Sequence, residues 1–205
     1  ATQGSRLLPR SWFHALERAD DERPFAALDH LASFGFLPPE AGGAGAGDAA
    51  GGDPMLPIGF ASDRQADVAF RTSGLRWYAD QAGVEDSAEP WIGLNCAACH
   101  TARLSHAGVT TTVDGGPNLL DFQRFIEALD ASLATTRADG TKWNRFAVAV
   151  LGERDTAENR TLLEGAFDEL LAWQARTEAM NETPMRYGAG RLDAVGHILN
   201  KVLMF

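Results

Sequence analysis

Hydrophobic positions in the second half of the chain recur at helical spacing. In NLLDFQRFIEALDASLATT, Leu119, Phe122, Ile126, Leu129 and Leu133 follow one another at three or four residues, with Phe125 beside the stripe. This predicts an amphipathic helix capped by Asn118. In TKWNRFAVAVLG, Trp143, Phe146 and Val150 share a face and Gly152 ends the pattern. A longer helix is expected from about Thr156 to Met180, with Leu163, Phe167, Leu170 and Leu171 inward, and a last one from about Leu192 to Met204.

The first half is less periodic. Residues 1–36 read as short helical segments, with Ser11 as the N-cap of WFHALERA and Pro24 opening PFAALDHLASF, which Gly35 stops. The stretch LPPEAGGAGAGDAAGGDPMLP (37–57) cannot bury enough apolar surface to offset its ordering, so a flexible surface loop is expected at about 38–55. Aromatic sequence resumes at once, which argues against a domain boundary there. Residues 58–92 carry Phe60, Phe70, Trp77, Tyr78 and Trp91 without a sustained period and predict loops around something apolar. Strand signals are few and no repeat has a fixed period. The expected fold is mostly α, in one domain over 1–205.

Composition narrows the function. The chain has 205 residues, 45% hydrophobic, and a formal net charge of −10, so it lacks the basic stripe that nucleic acid requires. No apolar run is long enough to span a bilayer. The opening ATQGSRLLPRSWF has no charged segment leading into an apolar one, and an initial Ala is what a processed chain would show.

The chemistry concentrates in GLNCAACHTARLSHAG (93–108), which holds Cys96 and Cys99, the two cysteines of the chain, and His100. Cys-x-x-Cys-His is the c-type haem attachment pattern. Each thiol forms a thioether with one porphyrin vinyl group, and the following His supplies the proximal imidazole to iron. Small Ala97 and Ala98 let the backbone lie against the macrocycle edge. Three other readings compete. A thioredoxin-like pair would open a helix after a βαβ strand, which is not evident here. Zinc would need Cys96, Cys99 and two histidines, with His106 within reach. A disulfide needs no His.

One covalent haem c therefore implies a periplasmic or otherwise exported bacterial protein, with Phe34, Phe36, Phe60, Trp77 and Trp91 as candidate pocket walls, although core packing is the plainer role for any one of them. The far side of the iron decides between electron carrier and catalyst. Candidate sixth ligands are His14, His30, His106, His197, Met55, Met180, Met185 and Met204; Met185, on a loop before a helix, is the best placed.

The phrases GSRLLPRSWFHALE, FGFLP, LPIGF, GLNCAACHTARL, VDGGPNLLDFQRFIEAL and YGAGRLDAVGHILN together resemble the exported di-haem c-type oxidoreductases. That superfamily includes di-haem cytochrome c peroxidases, the methylamine dehydrogenase maturation enzyme and the rubber oxygenases. The resemblance implies a cytochrome c-like haem domain with long loops and extra helices, the first half of a two-haem protein. It implies chemistry on peroxide or dioxygen at an open or weakly ligated haem, with electrons from a second haem domain or a carrier protein. Carried over by position, Arg191, Ala194 and Val195 would line the distal face or anchor the propionates. Asp193 could cap the last helix, and Gly188 and Gly190 would let the backbone approach the ring. The sequence departs from the pattern in three respects. It has one Cys-x-x-Cys-His, Val195 where an aromatic often follows, and an end, NKVLMF, that reads as interrupted. A mono-haem electron-transfer cytochrome ligated by His100 and Met185 is the alternative.

Overall fold

The structure is a computed structural model, and it describes residues 5–39, 56–63 and 90–203. The helices of the second half form where local sequence directs them. Helix α3 (Phe122–Ala138) is capped by Asp121, whose carboxylate accepts the Arg124 amide at 3.0 Å. The expected cap, Asn118, lies ahead of the helix and has another role, described below. Helix α4 (Gly140–Leu151) starts from Asp139, which accepts from the Thr141 and Lys142 amides, and stops at Gly152 with φ 53°. Thr156 caps α5 (Ala157–Met180) and Asp193 caps α6 (Ala194–Leu203), accepting the Gly196 amide at 2.9 Å. The two N-terminal helices, α1 (Arg10–Ala15) and α2 (Leu28–Ser33), are each six residues long. Ser11 lies inside α1, which Pro9 precedes, and Pro24 lies ahead of α2, bridged to Glu17.

The expectation of a mostly α, cytochrome c-like fold is overturned. Helices make up about 52% and strands 16% of the described residues, and the strands form two small antiparallel sheets, so the fold is mixed α/β. In the first sheet, β3 (Trp91–Leu94) runs between β1 (Ser5–Pro9) and β2 (Phe60–Asp63). Ser5 and Phe60 both pair with Leu94, and a register shift interrupts β1 between Arg6 and Leu8. Strand β3 is buried along its whole length, so it shows no alternation of polar and apolar positions. Its pairing partners are far away in sequence. Both facts hid the sheet from a reading based on periodicity. The second sheet is a hairpin of β4 (Thr101–His106) and β5 (Val109–Asp114), closed by Ala107 and Gly108, both at positive φ.

Phe125 of α3 ties these layers together. Its ring lies 5.0 Å from Phe36, 5.7 Å from Phe34 and 6.0 Å from Phe60. A second aromatic cluster joins Trp12 of α1 to Phe146 of α4 and Phe167 of α5. Phe34, Phe36, Phe60 and Trp91 are therefore core residues, all under 8% exposed, rather than the walls of an open pocket. Phe70, Trp77, Tyr78, Met55 and Met204, together with residues 40–55 of the Gly/Ala-rich stretch, lie outside the described residues. One buried cation fastens the N-terminal segment to the bundle. Lys142 of α4 donates from Nζ to the carbonyls of Arg18 at 2.7 Å and Asp21 at 2.6 Å, and lies 3.4 Å from Glu17. Among the described residues, no helix is long and apolar enough to cross a membrane.

Candidate functional site

Strand β3 delivers the chain into one tight turn that carries Cys96, Cys99 and His100. Cys96–Ala98 form a 3₁₀ turn, and the amides of Cys99 and His100 both donate to the Cys96 carbonyl, at 3.2 and 2.9 Å. Cys96 opens this turn, and Cys99, which ends it, packs against the edge of the hydrophobic core. Cys96 is exposed, Cys99 is part-buried, and they are not joined in a disulfide. Burial pushes the Cys99 thiol up, and the nearby Cys96 sulfur adds to the effect. In a thioredoxin-like centre the first cysteine opens a long helix and carries the lowered pKa, while the second is the buried one, so the elements around Cys96 decide the comparison. A strand does precede the motif, but it belongs to an antiparallel sheet, and Cys96 opens a single turn rather than a long helix.

The backbone of the turn is held from three directions. Asn95 caps it, its side chain accepting the Ala97 amide at 3.0 Å. Gly59, at φ 96°, packs so closely that a Cβ there would overlap the backbone of Ala98. Asn118 clamps the far side: Nδ2 donates to the Ala98 carbonyl, its own amide donates to the Cys99 carbonyl at 3.2 Å, and Oδ1 accepts the Leu120 amide at 2.9 Å. Sequence reasoning assigned Asn118 to a helix cap; that it follows Gly-Gly-Pro was the visible sign of a shaped loop. The Gly115 amide donates to the His100 carbonyl at 2.7 Å, which continues the hairpin ladder to His100. The His100 imidazole is exposed and makes no hydrogen bond to a described residue.

Arg191 is brought to the same end of the molecule. The Gly190 amide donates to the Leu120 carbonyl at 2.9 Å, and a Cβ on Gly190 would lie 3.0 Å from the Asn118 carbonyl oxygen. Gly188 and Gly190, at φ 74° and 71°, thus let the loop approach the segment that clamps the CAACH turn. Arg191 is exposed and its guanidinium forms no ion pair with a described residue. Leu119, between these groups, is 76% exposed, and Val195, in the first turn of α6, is 68% exposed.

The remaining candidate ligands are scattered. His106 ends β4, six residues along extended strand from His100, or roughly 20 Å at strand rise. That removes it from a four-ligand zinc site with Cys96 and Cys99. His30 is wedged between Phe25 and Phe34, and burial holds its imidazole below the usual range. His197 faces Phe122 and Tyr187, and burial likewise lowers it, partly opposed by Asp193. His14 is exposed on α1, and the Met180 carbonyl accepts from Asn200. Met185 is 80% exposed, on a loop fastened to α3 by Tyr187 N donating to Gln123 and by the Arg186–Glu127 pair.

These residues fit a covalently attached haem. A braced turn carries two unbridged thiols, Cys96 exposed and Cys99 part-buried, beside an exposed imidazole that has no hydrogen-bond partner among the described residues. An exposed leucine and the Arg191 guanidinium lie at the same end of the molecule. No protein-family model matches the chain, and no solved structure matches it. It is 33% identical over 204 residues to "Uncharacterized protein y4iJ" of Sinorhizobium fredii, an alignment covering 95% of this chain and 31% of that protein. The chain thus spans about a third of the length of that relative.

Proposed function

We propose that the chain is a c-type haem oxidoreductase domain, acting on peroxide or dioxygen and receiving electrons from a second haem domain or a carrier protein. The observation that supports this reading is the CAACH turn, which presents two unbridged thiols and an exposed imidazole together. When bound, haem would supply the redox chemistry. Cys96 and Cys99 would hold it through thioethers, each thiol adding across one vinyl group with its hydrogen going to the neighbouring carbon and no net oxidation, and His100 would hold the iron through a ring nitrogen. Asn95, Asn118 and Gly59 hold the turn so that neither cysteine nor His100 must be ordered at the moment of attachment.

Arg191 is suited to a propionate carboxylate, which a guanidinium can hold through two hydrogen bonds, or to negative charge developing on oxygen. Leu119 and Val195 would exclude water from the same surface. Because c-type attachment is made outside the cytoplasm, the reading carries an exported, periplasmic or secreted location with it. A second reading is an electron-transfer cytochrome in which His100 and Met185, whose thioether is exposed, would both hold the iron.

The test is production of the chain alongside a bacterial cytochrome c maturation system, followed by a haem assay on denatured protein. Haem retained by the wild type and lost in Cys96→Ala plus Cys99→Ala is the expected result; no retained haem refutes the reading. Ferric EPR with and without carbon monoxide then separates the two functions. A high-spin, carbon monoxide-binding centre supports the open site. A low-spin centre that Met185→Ala abolishes supports the carrier.

A further inference from the structure

Helices α3 and α5 run antiparallel: Arg137, late in α3, pairs with Glu164 and Asp168, early in α5. Toward the other end of the contact they leave a groove of about 320 Å³, with Glu127 and Asp130 on the α3 side and Gln174 and Glu178 on the α5 side. Both carboxylate oxygens of Asp130 are buried there without a hydrogen-bond partner. Gln174 is only 9% exposed, and its Nε2 is also buried and unpartnered. Buried polar groups left unsatisfied are costly, and here a donor and an acceptor lie unused in one groove.

We propose that this groove binds a lysine- or arginine-bearing stretch of polypeptide, with the cationic head against Asp130 and Glu178 and a main-chain carbonyl accepting from Gln174 Nε2. Three features select that chemistry. The groups facing Asp130 are Glu127 on its own helix and Glu178 and Gln174 across the groove, so the local charge is negative. The nearby cation, Arg186, is already paired with Glu127. An anion is excluded and a cation favoured. Gln174 requires an acceptor in the same ligand, which a bare amine or metal ion lacks and a peptide carbonyl supplies. Ala131, Ala134 and Ala175 also line the groove, leaving room for a main chain and an aliphatic stem where larger side chains would fill the space. Burial, with Glu178 nearby, pushes the Asp130 carboxyl up to about 7. Cation binding would therefore strengthen from about pH 6 to about pH 8, as Asp130 ionises. This site is separate from the CAACH turn and does not depend on the haem reading.

The experiment uses the 205-residue chain with ¹³C-labelled aspartate, its Asp130 carboxyl resonance assigned through Asp130→Asn. The probe is the tripeptide acetyl-Ala-Arg-Ala-amide at about pH 8, with the neutral citrulline tripeptide and n-butylguanidinium as controls. Arginine peptide should shift the Asp130 resonance saturably, and citrulline peptide should bind at least about tenfold more weakly, as expected when a charge partner is lost. Glu178→Gln should weaken the arginine peptide, and Gln174→Leu should weaken it while leaving n-butylguanidinium unchanged. Equal binding of the citrulline peptide overturns the proposal, as does an Asp130 resonance unmoved at high peptide concentration, which would mean that the groove holds water alone.

Discussion

Replacing Asp130 by Asn should change how stability depends on pH, and the structure fixes both sign and size. The Asp130 carboxyl is raised from 3.8 to about 7 by burial, with Glu178 adding repulsion. In the unfolded chain the group ionises near its ordinary value, so between pH 3.8 and about 7 only the folded state keeps the proton. Each pH unit in that window removes about 1.4 kcal/mol of stability, so the whole window is worth on the order of 4 kcal/mol. This contribution is complete below pH 3.8 and is lost as pH rises through about 7. An asparagine side chain does not ionise and carries no such dependence. Glu17, Asp21, Asp29, Asp139 and Asp155 are all held below their ordinary values and lose stability in acid, but they do so equally in both variants and cancel in the difference. Urea denaturation at about pH 4, 6 and 8 measures the comparison. The Asp130→Asn variant should gain on the wild type by about 4 kcal/mol across that range. A difference between variants that stays constant with pH would refute the burial of Asp130 and the groove built on it.

Lys142→Met should cost about 3 kcal/mol in urea denaturation, because it leaves the Arg18 and Asp21 carbonyls without their donor and removes a partner of Glu17. Gly59→Ala should both destabilise the fold and lower the yield of attached haem, since a Cβ there displaces Ala98 and with it the cysteines on either side. The measurements are thermal unfolding of the chain and haem retained per protein; unchanged attachment would show that the turn is not braced from the Gly59 segment.

The long helices of the second half were legible in the sequence because their causes are local. Asp139, Thr156 and Asp193 each cap within three residues of themselves, and Leu163, Phe167 and Leu170 repeat along one face. Asn118 misled because a cap and a loop clamp use the same side chain, and only its contact with Ala98, twenty residues away, distinguishes them. The first sheet was illegible for a related reason. Ser5–Pro9 and Phe60–Asp63 become strands only by pairing with Trp91–Leu94, and nothing inside any of the three announces its partner.

At the candidate site, the spacing of Cys96, Cys99 and His100 was sufficient by itself to bring two thiols and an imidazole onto one turn, since covalent reach is set over a few residues. Tertiary structure alone decided that Gly59, Asn118 and Gly190 converge on that turn, that four of the expected pocket aromatics are core, and that Asp130 faces Gln174 without a partner. Each of those outcomes depends on which distant surfaces become neighbours. That is settled by burying apolar area and satisfying backbone hydrogen bonds over the whole fold, and a local pattern carries no record of it.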